Sequence, residues 1–79
     1  MEDLIGFVSG NKNRQKLLTL LGSKHSLDAG KMAKNMHVAS PSVNKIIQEL
    51  LEKNLIKQDG NSYSLTELGE TVEKKIQSI

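Results

Sequence analysis

Ser40-Pro41-Ser42-Val43-Asn44-Lys45-Ile46-Ile47-Gln48-Glu49-Leu50-Leu51-Glu52-Lys53 is the stretch whose reading decides the fold. Val43, Ile46, Ile47, Leu50 and Leu51 fall at i, i+3, i+4, i+7 and i+8, which puts all five apolar side chains on one face of a helix. Ser40 supplies a cap, and Pro41 follows at the first helical position, where a missing N–H removes no helical bond. Asn54 tolerates the left-handed conformation and ends the helix. With the apolar face turned inward, Pro41, Asn44, Lys45 and Gln48 lie on the opposite side, near the N-terminal half.

Upstream, Asp28 is a good N-cap for a helix from Ala29 to about Asn35, carrying Met32, Ala33 and Met36 inward. Only Met36-His37-Val38-Ala39 separates it from the next helix. Earlier still, Asn11 or Asn13 caps a helix with Leu17, Leu18, Leu20 and Leu21, Gly22 is placed to end it, and Leu27 forms a very short extended piece. Leu4, Ile5 and Val8 suggest a short helix or extended arm that stops at Ser9-Gly10.

Downstream, Leu55-Ile56-Lys57-Gln58 and Ser62-Tyr63-Ser64-Leu65 are two alternating runs around Asp59-Gly60-Asn61, a hairpin signal. Thr66 caps a last helix whose stripe is Leu65, Leu68, Val72, Ile76 and Ile79. The order helix, helix, turn, helix, hairpin, helix predicts a mainly α chain with a small β-hairpin, a winged helix-turn-helix. The expectation is a single domain over 1–79, its core about 11–70, with the terminal segments outside that core.

Length and composition narrow the function. A chain of 79 residues makes one domain with a thin core and little room for a walled-off substrate pocket. Zero cysteines exclude disulfides and thiolate metal sites. The apolar stretches are too short to span a membrane, and the acidic Met1-Glu2-Asp3 start is unlike a signal peptide, so a soluble, cytoplasmic protein is expected. Phe7 and Tyr63 are the only rings, too few to stack single-stranded nucleic acid.

Net charge is +2, but it is unevenly spread. Residues 11–45 carry seven bases against Asp28 alone, net +6, while each flank is net −2. Such a split suits contact with a polyanion, or a solvated face.

The segment Ala33-Lys34-Asn35-Met36-His37-Val38-Ala39-Ser40-Pro41-Ser42-Val43 resembles the helix-turn-helix of MarR/ArsR-type winged-helix transcriptional regulators. Ile47-Gln48-Glu49-Leu50-Leu51-Glu52-Lys53-Asn54-Leu55-Ile56 is similar to their exit into the wing. Tyr63-Ser64-Leu65-Thr66-Glu67-Leu68-Gly69-Glu70 is similar to their second wing strand and the "Leu-Thr-x-x-Gly" start of the next helix. Asn13-Arg14-x-x-Leu17-Leu18-x-x-Leu21 resembles their first helix, notably in archaeal members. His37 replaces the usual turn glycine, Ala39 a common capping serine, and Asn54 the exit glycine.

The resemblance implies duplex DNA as partner, with helix 40–53 in the major groove and the wing 57–63 near the backbone or minor groove. Asn44 and Gln48 have the amide pairing that adenine requires, and Lys45 can donate to guanine or phosphate. Ser40, Pro41 and Ser42 open the helix that faces the groove, where the two serines suit phosphates. Lys31 and Lys34, with Arg14 or Lys12, would position the duplex, and Lys57, Asn61 and Ser62 make a wing poor in charge. Glu49 and Glu52 lower the potential along the recognition helix.

Leu4, Ile5, Val8, Val72, Ile76 and Ile79 have two open uses. They form a homodimer interface, as elements outside the winged core do in the resembling regulators, or the two termini pack together within one chain. Other constellations point to no chemistry. His25-x-x-Asp28 is too sparse for zinc, and no phosphate loop follows a strand. Glu67, Glu70 and Glu73 read as a solvated face with Glu70 set to pair with Lys74.

No enzyme activity, cofactor or metal is expected. No separate ligand domain is visible, so an effector, its identity unspecified, would act at a subunit interface or through a partner protein. The alternative function is a winged-helix protein–protein module.

Overall fold

A computed structural model describes residues 1–78. In chain order it contains α1 (Glu2–Ser9), α2 (Lys12–Lys24), β1 (Leu27–Asp28), α3 (Ala29–Met36), α4 (Ser40–Glu52), β2 (Ile56–Asp59), β3 (Ser62–Leu65) and α5 (Glu67–Gln77). The mainly helical winged architecture is the predicted one. The wing, however, is a three-stranded antiparallel sheet in the order β1-β3-β2, because Leu27 pairs with Tyr63 and Asp28 with Ser62. Two residues in isolation carry almost no strand signal; β1 exists because β3 offers it a free edge.

Local chemistry sets most boundaries. The Asn11 side chain accepts from the backbone N–H groups of Asn13 and Arg14 and caps α2, while Asp28 accepts from Lys31 N–H at 2.8 Å and caps α3. Both α3 and α4 end in left-handed residues, His37 (φ 55°) and Asn54 (φ 59°), where regulators of the resembling type carry glycine. In each case the next amide reaches back to a carbonyl five residues earlier, Val38 to Ala33 and Leu55 to Leu50, closing the helix end. The β2–β3 turn is tighter than the three-residue expectation. Asp59 and Ser62 are paired, so only Gly60-Asn61 lies between them, with Gly60 at φ 63°.

Three expectations need correction. Ser40 does not cap α4; it is the first helical residue, Ala39 takes the cap position without a side-chain bond, and Pro41 shifts one place inward. Gly22 does not end α2, which runs on to Lys24 and stops at His25 (φ 71°, ψ −48°). There Ser26 N–H bonds the Lys24 carbonyl across His25, a γ-turn that swings the chain into β1. Glu73, assigned to a solvated face, is 8% exposed and packs against Gly22. The missing Cβ at Gly22 serves a close approach between helices, not a helix end.

The core joins α2, α3 and α4 through Leu17, Leu18, Leu21, Met32, Val43, Ile47 and Leu50, with Leu55, Ile56 and Leu65 from the wing. Val8, Val72 and Ile76 belong to the same core, since α1 lies against α2 and α5. Val8 and Val72 are fully enclosed by their own chain, so they are unavailable to a second subunit, and Ile76 is nearly so. Their use is the intrachain alternative. Leu4 and Ile5 are half-buried, and Ile79 lies outside the described residues. Among the described residues Met1 is the one large apolar side chain that is strongly exposed, at 51%.

Candidate nucleic-acid interface

The inward stripe of α4 is buried at Val43, Ile46, Ile47 and Leu50 and half-buried at Leu51. Helical geometry then forces Ser40, Pro41, Ser42, Asn44, Lys45 and Gln48 outward, and all six are exposed. No hydrogen bond among the described residues occupies the side chains of Asn44, Lys45 or Gln48. Two carboxamides and an ammonium therefore stand free on one helix. Lys31 and Lys34 are exposed on α3, the preceding helix, and Asn61 is exposed at the wing turn, with Ser62 half-buried beside it. Gln58, which sequence reading passed over, donates from Nε2 to the Gly60 carbonyl at 3.0 Å and braces the wing tip.

Two predicted contributors stand elsewhere. Arg14 Nε and Nη2 donate to the Glu49 carboxylate at 3.2 and 2.8 Å, Nη1 donates to the Phe7 carbonyl at 3.1 Å, and the guanidinium sits 4.0 Å from the Phe7 ring centroid. Arg14 is thus committed to tying α1 and α2 to α4, and it also neutralises one of the two carboxylates that weaken the potential along α4. Its partner is 35 positions away, so no local pattern in the sequence could reveal the pair. Lys57 lines a cavity between the sheet, α2 and α5, together with Glu73 and Lys74. Glu70 and Lys74, the predicted pair, are not bridged; Arg14–Glu49 is the ion pair among the described residues.

Hydrogen bonding from Arg14 holds the Glu49 carboxyl below its ordinary value of 4.5, partial burial opposes this, and the charges of Arg14 and Lys45 add to the lowering. Because the folded value is depressed, the stabilisation is fully present above the unfolded value and is lost as pH falls through the folded one. Arg14→Ala should cost about 1–2 kcal/mol at neutral pH, from the pair, the carbonyl bond and the ring contact together. The gap in thermal unfolding between the variant and the parent should narrow as pH drops below 4.5, leaving the share of the carbonyl bond and the ring contact, which do not titrate. A gap that stays constant into acid would contradict this assignment.

A helix held by its apolar stripe, preceded by a short helix and a left-handed turn and followed by a β-wing, defines a winged-helix domain in which the outward face of α4 is uncovered. Residues 15–79 match the family described as Winged helix-turn-helix, and the chain belongs to that family. No curated protein sequence matches the chain.

Among solved structures, ligand-free NadR superposes with a TM-score of 0.82 at 22% identity, over 86% of this chain and 52% of that one. The MarR family protein Rv2887 of Mycobacterium tuberculosis gives 0.82 at 16% identity, over 95% and 58%. The AntR antimony-specific transcriptional repressor gives 0.81 at 19%, over 95% and 69%. At these identities the likeness is one of fold, and the MarR-type resemblance read in the sequence holds at that level. The chain spans little more than half the length of the first two proteins. No described helix is long and apolar enough to cross a membrane.

Proposed function

We propose that this chain is a cytoplasmic transcriptional regulator, a single DNA-binding domain over residues 1–79, that reads duplex DNA with α4 in the major groove. The observation that carries the reading is the free, exposed set Asn44, Lys45 and Gln48 on the outward face of a helix whose other face is locked into the core. Asn44 and Gln48 offer the donor–acceptor pair that matches adenine, and Lys45 a donor for guanine or phosphate. Ser40 and Ser42 suit phosphates at the α4 N-terminus, with Pro41 beside them, and Lys31 and Lys34 add charge from α3. In the wing, Asn61, Ser62 and the exposed Lys57 would meet the backbone or minor groove.

With few committed cations, affinity should be modest and should fall with salt along a shallow slope set by those few phosphate contacts. Fluorescence anisotropy with random-sequence duplexes at stepped salt tests this, and selection of bound duplexes then gives the preferred sequence. Absence of binding at low salt would reject the reading in favour of a protein–protein module.

A homodimer belongs to the proposal only through Leu4 and Ile5, the members of the apolar terminal set left partly open. Sedimentation should then show a dimer that Leu4→Glu with Ile5→Glu converts to monomer; monomeric masses for both proteins would remove the dimer from the reading, and dimeric masses for both would remove Leu4 and Ile5 as its interface.

A further inference from the structure

Glu73 is the one buried charged residue among those described, and its Oε2 is buried without a hydrogen-bond partner. A carboxylate in that condition is costly, and such a group in a folded protein points to a missing donor. The fold makes deliberate room for it. A Cβ at Gly22 would stand 2.7 Å from Glu73 Oε1 and 2.9 Å from its carboxyl carbon, so a larger residue there would make the Glu73 side chain shift. Glu73 lies on the wall of a cavity of about 440 Å³ between α2, the sheet and α5. That volume is in the range of small-molecule sites.

The rest of the cavity specifies the missing partner. Leu21 and Leu65 supply an apolar surface, while Lys57 from β2 and Lys74 from α5 bring two ammonium groups. Neither lysine forms an ion pair with Glu73. The Glu70 carboxylate and His25 complete the lining. A buried acceptor without a donor, a second carboxylate, two ammonium groups that form no ion pair and an aliphatic wall together match a small zwitterion with an apolar side chain. A metal ion is a poor match, because no three suitable donors converge among the described residues.

We propose that this cavity is a binding site for a free aliphatic α-amino acid. Its ammonium group donates to Glu73, its carboxylate lies between Lys57 and Lys74, and its side chain rests on Leu21 and Leu65. The site is separate from the outward face of α4 and goes beyond the DNA-binding reading. It places an effector inside a single chain, where a subunit interface or partner protein was the expected route. Because Lys57 and Ser64 are cross-strand neighbours in the wing and both line the cavity, occupancy would fix the wing against α2 and α5.

The test titrates the full chain, labelled with nitrogen-15, with L-norleucine, pentylamine and hexanoate, which separate the two charges on one aliphatic body. L-Norleucine should shift the amides of Gly22, Ser64 and Glu73 saturably, pentylamine should bind more weakly, and hexanoate should not bind. Glu73→Gln, checked for an unchanged circular dichroism spectrum, should lower norleucine affinity by about tenfold or more. Lys57→Met with Lys74→Met, both at exposed positions, should reduce norleucine to the affinity of pentylamine, which keeps the test decisive even where Glu73→Gln disturbs the fold. No saturable shift with norleucine, undiminished affinity in both variants, or hexanoate binding as tightly as norleucine would overturn the proposal. None of these measurements involves DNA, so their failure leaves the DNA-binding reading untouched.

Discussion

Lys45→Glu combined with Gln48→Ala is expected to lower affinity for duplex DNA by more than about a hundredfold at moderate salt, since each base contact of this kind contributes about 1–3 kcal/mol. The charge reversal adds repulsion from phosphate and should flatten the salt dependence of whatever binding is left. Both side chains are exposed and take no part in the core, so the unfolding temperature and helical circular dichroism should stay near those of the parent. Anisotropy on the same duplex, with unfolding followed in parallel, checks both halves. Unchanged affinity in a folded double variant would remove α4 as the reading element. Lost affinity together with lost folding would return the question to the single substitutions, of which Gln48→Ala is the milder.

The second large effect concerns folding. Gly69→Ala should destabilise the chain by about 3 kcal/mol or more, because overpacking against backbone has no flexible side chain to yield. Gly69 is buried where α5 crosses the exit from α4, and an added Cβ would collide with the Leu55 carbonyl, whose carbon lies 3.0 Å from the Cβ position. That carbonyl already accepts from Thr66 N–H, and the Thr66 hydroxyl donates to the Asn54 carbonyl while accepting from Gly69 N–H. The crossing therefore cannot slide apart without breaking the cap that starts α5. For a domain of this size each kcal/mol shifts the unfolding temperature by about 4–8 °C, so a fall of at least about 12 °C is expected. A variant that unfolds with the parent would show that α5 can shift without cost.

This crossing gives a physical reason for a pattern visible in the sequence. The Leu65-Thr66-x-x-Gly69 segment resembles one found in winged-helix regulators, and its parts are a core residue, an N-cap and a glycine required by close approach of two backbone segments. Gly22 also marks a close approach, though to the end of the Glu73 side chain and not to backbone. Read alone, a glycine after a leucine run looks like a helix end, because chain termination and close approach leave the same local mark.

The sequence by itself determined the elements and the face each one buries. The stripe Val43, Ile46, Ile47, Leu50 has a single helical solution, Asn11, Asp28 and Thr66 carry their caps locally, and Gly60-Asn61 turns the wing. These are interactions within a few residues, so spacing and residue type suffice to show them. Only the tertiary structure decided what the remaining polar groups do. Arg14 left the prospective DNA face for Glu49 and Phe7, Glu73 left the solvated face for a cavity behind Gly22, and Val8, Val72 and Ile76 closed the core of their own chain. Each of those outcomes depends on segments far apart in the chain being brought side by side, and an ionic or apolar side chain carries no local record of which distant partner it will meet.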